Sequence, residues 1–158
     1  MAANVETMFY TREKPWHGLG TMVAEAPESR EALRLAGLDW MVLQEPAYTE
    51  KNERITGYRV NVRDCDRKIL GVVTDRYKVV QNEEAFAFTD TLLGEGVRYE
   101  TAGSLQEGKR VWLLARMPQE FIILGERITP YLVFSNAHDG SGAVKTALTP
   151  IRVVCNNT

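Results

Sequence analysis

Cysteine is scarce in this 158-residue chain, which has only Cys65 and Cys155. Two cysteines that lie far apart, with no C-x-x-C pair, are too few for a disulfide framework and lack the ligand spacing of a structural zinc site. We therefore expect two free thiols in a reducing compartment, and we predict no metal site.

Long apolar runs and an excess of charge of one sign are also missing. No segment approaches the length of a membrane span, and the first residues, MAANVETMFYTREKPW, lack the apolar core of a secretion signal. These absences predict a cytoplasmic protein that has no membrane partner. The net charge of −2 and the isoelectric point near 5.8 provide no overall attraction to nucleic acid, so any such binding must rest on a local basic patch.

The pattern that is present is mainly that of β-strands. Hydrophobic residues make up 44 % of the chain, and its length suits one globular domain over residues 1–158. Apolar and polar residues alternate in several short stretches separated by turn residues, which predicts antiparallel strands. The predicted strands cover residues 40–48, 55–64, 68–80, 97–105, 109–117, 120–125, 127–136, 143–149 and 150–155. The fold class is therefore α+β, a largely antiparallel sheet of several short strands with one or two helices packed on it.

Two helices are predicted. One covers about ten residues after Pro27 and ends at Gly37, and the other begins at Asn82, a favourable N-cap, and ends at Gly94. The opening segment to Val23 is rich in Gly and Pro, and PWHGLG (15–20) within it predicts a turn-forming loop held down by Trp16. The apolar contexts of six aromatic residues predict core positions for Trp16, Trp40, Trp112, Phe86, Phe88 and Phe134.

Histidine is as rare as cysteine. His17 and His138 are the only two, both lie beside glycines, and His138 is followed by Asp139. Together with Cys155 they are candidates for a hydrolase with a thiolate or a base as its catalytic group. The alternative is a tight turn between strands at 139–142, and we favour that interpretation, with no catalytic residue and no cofactor.

The charges are segregated along the sequence. Residues 51–78 contain eight Lys or Arg against four acids, and residues 79–107 contain one base against six acids. Basic side chains interleaved with aromatic ones on a sheet suit phosphate contacts and base stacking on single-stranded nucleic acid. The competing interpretation is an ordinary edge strand that carries Lys and Arg to prevent aggregation. The candidate contact residues are Tyr58, Arg59, Arg63, Arg67, Lys68, Arg76, Tyr77 and Lys78.

Several blocks of the sequence resemble the phage/plasmid-like protein family, which carries a domain of unknown function. The blocks are WHGLGT (16–21), GVVTDRYKVVQNEEAF (71–86), ETAGSLQEGKRVWLLARMP (100–118), YLVFSNAHDGSGAVK (131–145) and TPIRVVCNNT (149–158). The resemblance implies a home on mobile elements in bacterial host cells, and it implies that this chain is the N-terminal portion of a longer protein. The polar CNNT that follows the last predicted strand agrees with a truncated chain.

Two function hypotheses follow from the charges and the resemblance. The first is a non-enzymatic module of a phage or plasmid that binds or anneals single-stranded DNA. The second is a protein-interaction module that acts on a host defence complex through the acidic segment 83–107. Self-association as a homo-oligomer is compatible with either.

Overall fold

The computed structural model describes residues 4–150, and within this range it is an α+β protein rich in antiparallel strands, as predicted. The described elements are β1 (Val5–Thr11), β2 (Thr21–Val23), α1 (Ser29–Leu35), β3 (Val42–Tyr48), β4 (Arg54–Arg63), β5 (Ile69–Thr74), α2 (Asn82–Leu93), β6 (Arg98–Leu105), β7 (Arg110–Arg116), β8 (Phe121–Ile123), β9 (Glu126–Ile128), β10 (Tyr131–Ala137) and β11 (Lys145–Thr149). The strand predicted over 150–155, the CNNT end and Cys155 lie outside the described residues.

The large sheet has six strands in the order β11-β10-β7-β6-β1-β2. Its ladders are antiparallel except for the parallel pair of β1 with β2. The loop predicted at PWHGLG (15–20) is confirmed, but the strands on either side of it, β1 and β2, were not predicted, and β1 lies inside this sheet between β6 and β2. Residues Met8 to Thr11 are all buried, so β1 lacks the polar–apolar alternation by which a half-exposed strand is recognised.

A small sheet is formed by β3, β4 and β5 in that order, and both of its ladders are antiparallel. This confirms the three successive strands that the alternation predicted, although the third ends at Thr74 and not at residue 80. The strands β8 and β9 form a separate two-stranded hairpin.

Both helices pack on one face of the large sheet. A row of partners across four strands, Phe9, Ala102, Leu113 and Phe134, belongs to the same core cluster as Ala32 and Ala36 of α1 and Phe86 of α2. A second cluster lies on the other face of the large sheet. It is formed by Met8, Tyr10, Leu105 and Trp112. Burial of Trp40, Trp112, Phe86 and Phe134 confirms four of the six predicted core aromatics.

Two predicted core residues are exposed, and one predicted cap has another role. Trp16 is 67 % exposed on its loop, and Phe88 on α2 is 48 % exposed although its ring centroid lies 6.3 Å from that of Phe134, so both core predictions are wrong. The helix N-cap is Gln81, whose N–H donates to the Glu84 carboxylate at 2.7 Å. Asn82 is the first helical residue, and its buried side chain donates to the Leu38 carbonyl at 3.1 Å.

The small sheet docks on the turns at one end of the large sheet. The Asn61 amide donates to the His138 carbonyl at 2.8 Å, and the Tyr77 hydroxyl donates to the Ala137 carbonyl at 2.6 Å. A Cβ on Gly71 would lie 2.6 Å from Cα of Asp139, so the two backbones touch where glycine leaves room. This contact fixes the position of the basic strands β4 and β5 relative to the rest of the fold.

Candidate nucleic-acid interface

The structure places three of the predicted contact residues, Tyr58, Arg59 and Arg76, at one end of the small sheet, and a fourth, Lys78, on the segment that follows it. Tyr58 pairs with Thr74 and Arg59 pairs with Val73 in the β4–β5 ladder, and the Asp75 N–H donates to the Gly57 carbonyl at 3.0 Å. The chain after β5 therefore begins beside the residues before Tyr58, which places Arg76 near the same end. Lys78 comes after Tyr77, whose carbonyl already accepts from Gln44 of β3, so Lys78 lies on the segment that leads away from that end. Tyr58 is 50 % exposed, Arg76 and Lys78 are exposed and Arg59 is half-buried.

The charges of Arg59, Arg76 and Lys78 are not neutralised by a carboxylate within the described residues. Exposed guanidinium and ammonium groups of this kind retain their donors for phosphate oxygens. The half-exposed ring of Tyr58 offers a surface on which a base can stack. These four residues are called the basic end below.

Three of the other predicted contact residues already have carboxylate partners. Arg63 is buried and donates to both oxygens of Glu6 and to both of Asp66 at 2.7–2.9 Å, and its guanidinium lies 5.3 Å from the Trp40 ring centroid. Hydrogen bonds to Asp66 and Glu6 raise the pKa of Arg63, and the bond from Arg63 is the main cause that lowers the pKa of Asp66. The guanidinium of Arg63 is thus a structural link between β4 and the first strand of the large sheet.

Arg67 and Lys68 are paired closer to the surface. Arg67 contacts Glu45 on β3, and Lys68 contacts Glu107 at 2.9 Å. The hydrogen bond and charge of Lys68 lower the pKa of Glu107. Exposed ion pairs of this kind are weak, so both bases can exchange their partners for phosphate at little cost, unlike Arg63.

Tyr77 is held inside the fold. Its hydroxyl donates to the Ala137 carbonyl, its own carbonyl accepts from the Gln44 amide at 3.2 Å, and burial followed by the charge of Asp139 raises its pKa. The ring therefore joins the small sheet to β10, whereas Tyr58 on the same end remains half exposed.

The predicted loop histidines do not form a catalytic pair. His138 is fully buried, with Nε2 2.9 Å from Asn82 Oδ1 and its ring 5.4 Å from that of Trp40. The carboxylate of Asp139 accepts from the Ser141 N–H at 2.8 Å, which is the turn interpretation of 139–142. His17 accepts from the Leu19 N–H through Nδ1 at 3.1 Å in its own loop.

Cys65 is an exposed free thiol, as expected. Over residues 4–150 the acidic, cysteine and histidine side chains form no cluster of three or more that could hold a metal ion. No helix in the same range is long and apolar enough to cross a membrane.

Sequence reasoning missed a second group of basic residues. Arg98 on β6 is paired with Arg116 on β7. Both residues and Arg12, which directly follows β1, line a cavity of about 290 Å³. The fully buried Glu100 lies 3.5 Å from Arg12 and 3.6 Å from Arg116, and Glu28 lies 2.8 Å from Arg98. These residues are far apart in the sequence and meet only through strand register, so no local pattern could have revealed them.

An elongated groove of about 740 Å³ lies between α1 and α2. Its floor is apolar, formed mainly by Leu33, Leu38 and Phe86, and four acids against one base line it. The acids are Asp39, Glu83, Glu84 and Asp90, and the base is Arg30.

The fold and the basic end thus define an α+β protein with a positively charged, partly aromatic end on its small sheet. The family described as a domain of unknown function, DUF932, matches residues 69–158, which is more than half of the chain, and the chain belongs to this family. No match was found among curated proteins or among solved structures. The family membership confirms the resemblance that the sequence blocks indicated.

Proposed function

We propose that this protein is a non-enzymatic module of a phage or plasmid that binds or anneals single-stranded DNA in the cytoplasm of a bacterial host. The observation that carries the proposal is the basic end. Arg59 lies next to the half-exposed Tyr58 on β4, Arg76 and Lys78 follow the partner strand β5, and none of the three bases has a carboxylate partner in the described chain. Phosphates supply the affinity through Arg59, Arg76 and Lys78, and one base stacks on Tyr58. Arg67 and Lys68 lie in the turn between β4 and β5, at the opposite end of this hairpin from Tyr58, so they form a separate basic group outside this contact.

The site is more compact than the sequence alone predicted. Arg63 and Tyr77 are bound within the fold, so they support the contact surface from behind and do not touch the nucleic acid. Because the net charge of the chain is −2, binding depends on this local patch and is expected to be weak at high salt.

The test is fluorescence anisotropy with a labelled oligothymidine. Three phosphate contacts predict a slope of about −2 for log affinity against log salt, which lowers the affinity roughly 20-fold between about 50 and about 200 mM salt. Removing one charge by Arg76→Gln is expected to make the slope shallower by about 0.7. Tyr58→Ala is expected to weaken binding about 5- to 150-fold and to leave the slope unchanged, since a stacked base contributes about 1–3 kcal/mol.

Arg34→Gln is the matched control, because Arg34 is an exposed base on α1 away from the basic end. It removes the same charge and is expected to leave binding within twofold. Absence of binding at low salt, or equal losses from Arg34→Gln and Arg76→Gln, would contradict the proposal.

A protein-interaction module that acts on a host complex is the second candidate, and the groove between α1 and α2 is the observation that favours it. Its apolar floor and acidic rim suit a basic, amphipathic segment of a partner. The free acidic surface is smaller than the sequence suggested, since the Glu100 carboxylate is fully buried, Glu107 pairs with Lys68 and Asp90 accepts from Tyr99 at 2.7 Å. Co-purification from host lysate after nuclease treatment separates this function from DNA binding.

A further inference from the structure

The hairpin formed by β8 and β9 exposes four consecutive apolar side chains, Phe121, Ile122, Ile123 and Leu124. Their exposed fractions run from 48 % at Phe121 to 100 % at Leu124. An isolated two-stranded hairpin is at best marginally stable in water, and a continuous exposed apolar run promotes association. The hairpin therefore has the properties of an interaction element.

The tip of the hairpin carries a second indication. Leu124 and Gly125 form the two-residue loop between Ile123 and Glu126, and both have positive φ, 52° and 84°. A type I′ turn of this kind favours Asn, Asp or Gly, and leucine is strained there. Leu124 is 100 % exposed and packs against nothing in residues 4–150, so its apolar surface is available for a contact with another molecule.

A matching surface lies on the outer face of the small sheet. Val60 is paired with Val72, and Leu43 and Ile69 both pair with Val62, so these side chains lie on neighbouring strands. Ile69 and Val72 are 63 % and 59 % exposed, Leu43 is exposed and Val60 is half-buried. The exposures of this face and of the hairpin coexist in one folded chain, so neither surface covers the other.

We propose that the hairpin of one copy of this chain docks on the outer face of the small sheet of a second copy. Within residues 51–78, which contain most of this face, five bases have no ion-pair partner in the described chain, Lys51, Arg54, Arg59, Arg76 and Lys78, against the three acids Glu53, Asp64 and Asp75. Around the hairpin, Glu120 pairs with Arg127 at 3.8 Å, and Glu126 is the acid that has no ion-pair partner in the described chain. Opposite charges therefore surround the two apolar surfaces. The two surfaces supply eight apolar side chains, of which all but Val60 are exposed, and their joint burial would contribute to the roughly 1,000 Å² that a specific interface needs.

The hairpin also lacks the basic flanks with which an interfacial element binds an anionic bilayer, because its one base, Arg127, pairs with Glu120. The contact joins two different surfaces, so each copy offers one hairpin and one face. Such heterologous contacts build rings or open filaments and do not stop at a dimer. The inference does not depend on nucleic-acid binding, and its test uses protein alone.

The test is sedimentation velocity from low micromolar to near-millimolar protein. The hairpin variant is Ile122→Thr with Leu124→Asn, which keeps strand and turn preferences while it removes the apolar tip. The face variant is Val72→Lys, a change that an exposed edge strand tolerates. The unmodified protein is expected to exceed the mass of a dimer as its concentration rises, and each variant is expected to weaken association at least tenfold.

Mixing the two variants provides the decisive measurement. The face variant has an intact hairpin and the hairpin variant has an intact face, so an equimolar mixture is expected to form dimers and nothing larger. Circular dichroism verifies that both variants are folded. A protein that stays monomeric throughout the range, or a mixture of folded variants that stays monomeric, would overturn the proposal.

Discussion

His138 makes the stability of this fold depend on pH. The imidazole is fully buried between Trp40 and Asn82, and within the described chain no group donates to its Nδ1. The Asn82 amide nitrogen donates to Leu38, which leaves the Asn82 oxygen to accept from His138 Nε2 at 2.9 Å. The neutral Nε2–H tautomer satisfies this arrangement, and a second proton on Nδ1 would be buried without an acceptor.

Burial lowers the pKa of His138 from 6.5 to about 4, against a smaller, opposing effect of the Asp139 charge. A histidine in the unfolded chain takes up its proton near pH 6.5, whereas the folded chain resists protonation until about pH 4. The neutral His138 therefore makes its full contribution to the free energy of unfolding above pH 6.5, and this contribution decreases as the pH falls towards 4. At about 1.4 kcal/mol per pKa unit the loss is about 3 kcal/mol, a large fraction of a typical total of about 5–15 kcal/mol.

The assay is urea unfolding of the wild type and of His138→Gln at several pH values from 7 to 4. Glutamine keeps a side-chain N–H for Asn82 but does not titrate, and the carboxylates contribute equally to both proteins. The wild type is expected to lose about 3 kcal/mol more than the variant across this interval. Parallel pH profiles for two folded proteins would refute the reasoning, because they would show that His138 takes up its proton as easily in the folded state as in the unfolded one.

Two further substitutions test the packing of the small sheet on the large one. Arg63→Gln leaves the Glu6 and Asp66 carboxylates without the guanidinium that they share. In a urea titration this change is expected to lower the free energy of unfolding by about 2–3 kcal/mol. The control Arg59→Gln is expected to change it by less than about 0.5 kcal/mol. Equal effects would contradict the structural role of Arg63. Gly71→Ala places a Cβ against the Asp139 backbone and is expected to destabilise the protein by about 1–3 kcal/mol, which lowers the melting temperature. A melting temperature equal to that of the wild type would show that the backbones of Gly71 and Asp139 can move apart.

Strand alternation in the sequence predicted most of the sheet but not its centre. The half-exposed strands β3 to β5 were recognised because one face is polar and the other apolar. The β1 strand was missed because Met8 to Thr11 are buried on both faces, which removes the periodic signal. Trp16 and Phe88 were assigned to the core from their apolar sequence contexts, and such a context does not determine which side of a loop or helix faces inward.

The basic site was predicted as a linear count of charges, and a linear count does not show which charges are neutralised. Asp66, three residues after Arg63, was a local indication of an ion pair. The partner Glu6 could not be found in this way, since it lies on a different sheet and is separated by most of the N-terminal half. Ion pairs in the folded structure thus neutralise several bases of the segment 51–78, and the basic end contains fewer bases than the sequence count suggested.

The family match begins at residue 69, and strands from before and after this residue are paired in both sheets. Residues 69–158 include β5 and the strands from β6 onwards, but β5 pairs with β4, and β6 pairs on one side with β1, both outside the match. The core under α2 likewise includes Phe9 of β1 and Ala32 of α1. Tyr58 and Arg59 lie on β4, whereas Arg76 and Lys78 lie within the match, so the basic end is assembled from both segments. A protein reduced to the matched segment would expose the edge of β6 and lose half of the basic end, and both the fold and the proposed binding therefore require the residues that precede the match.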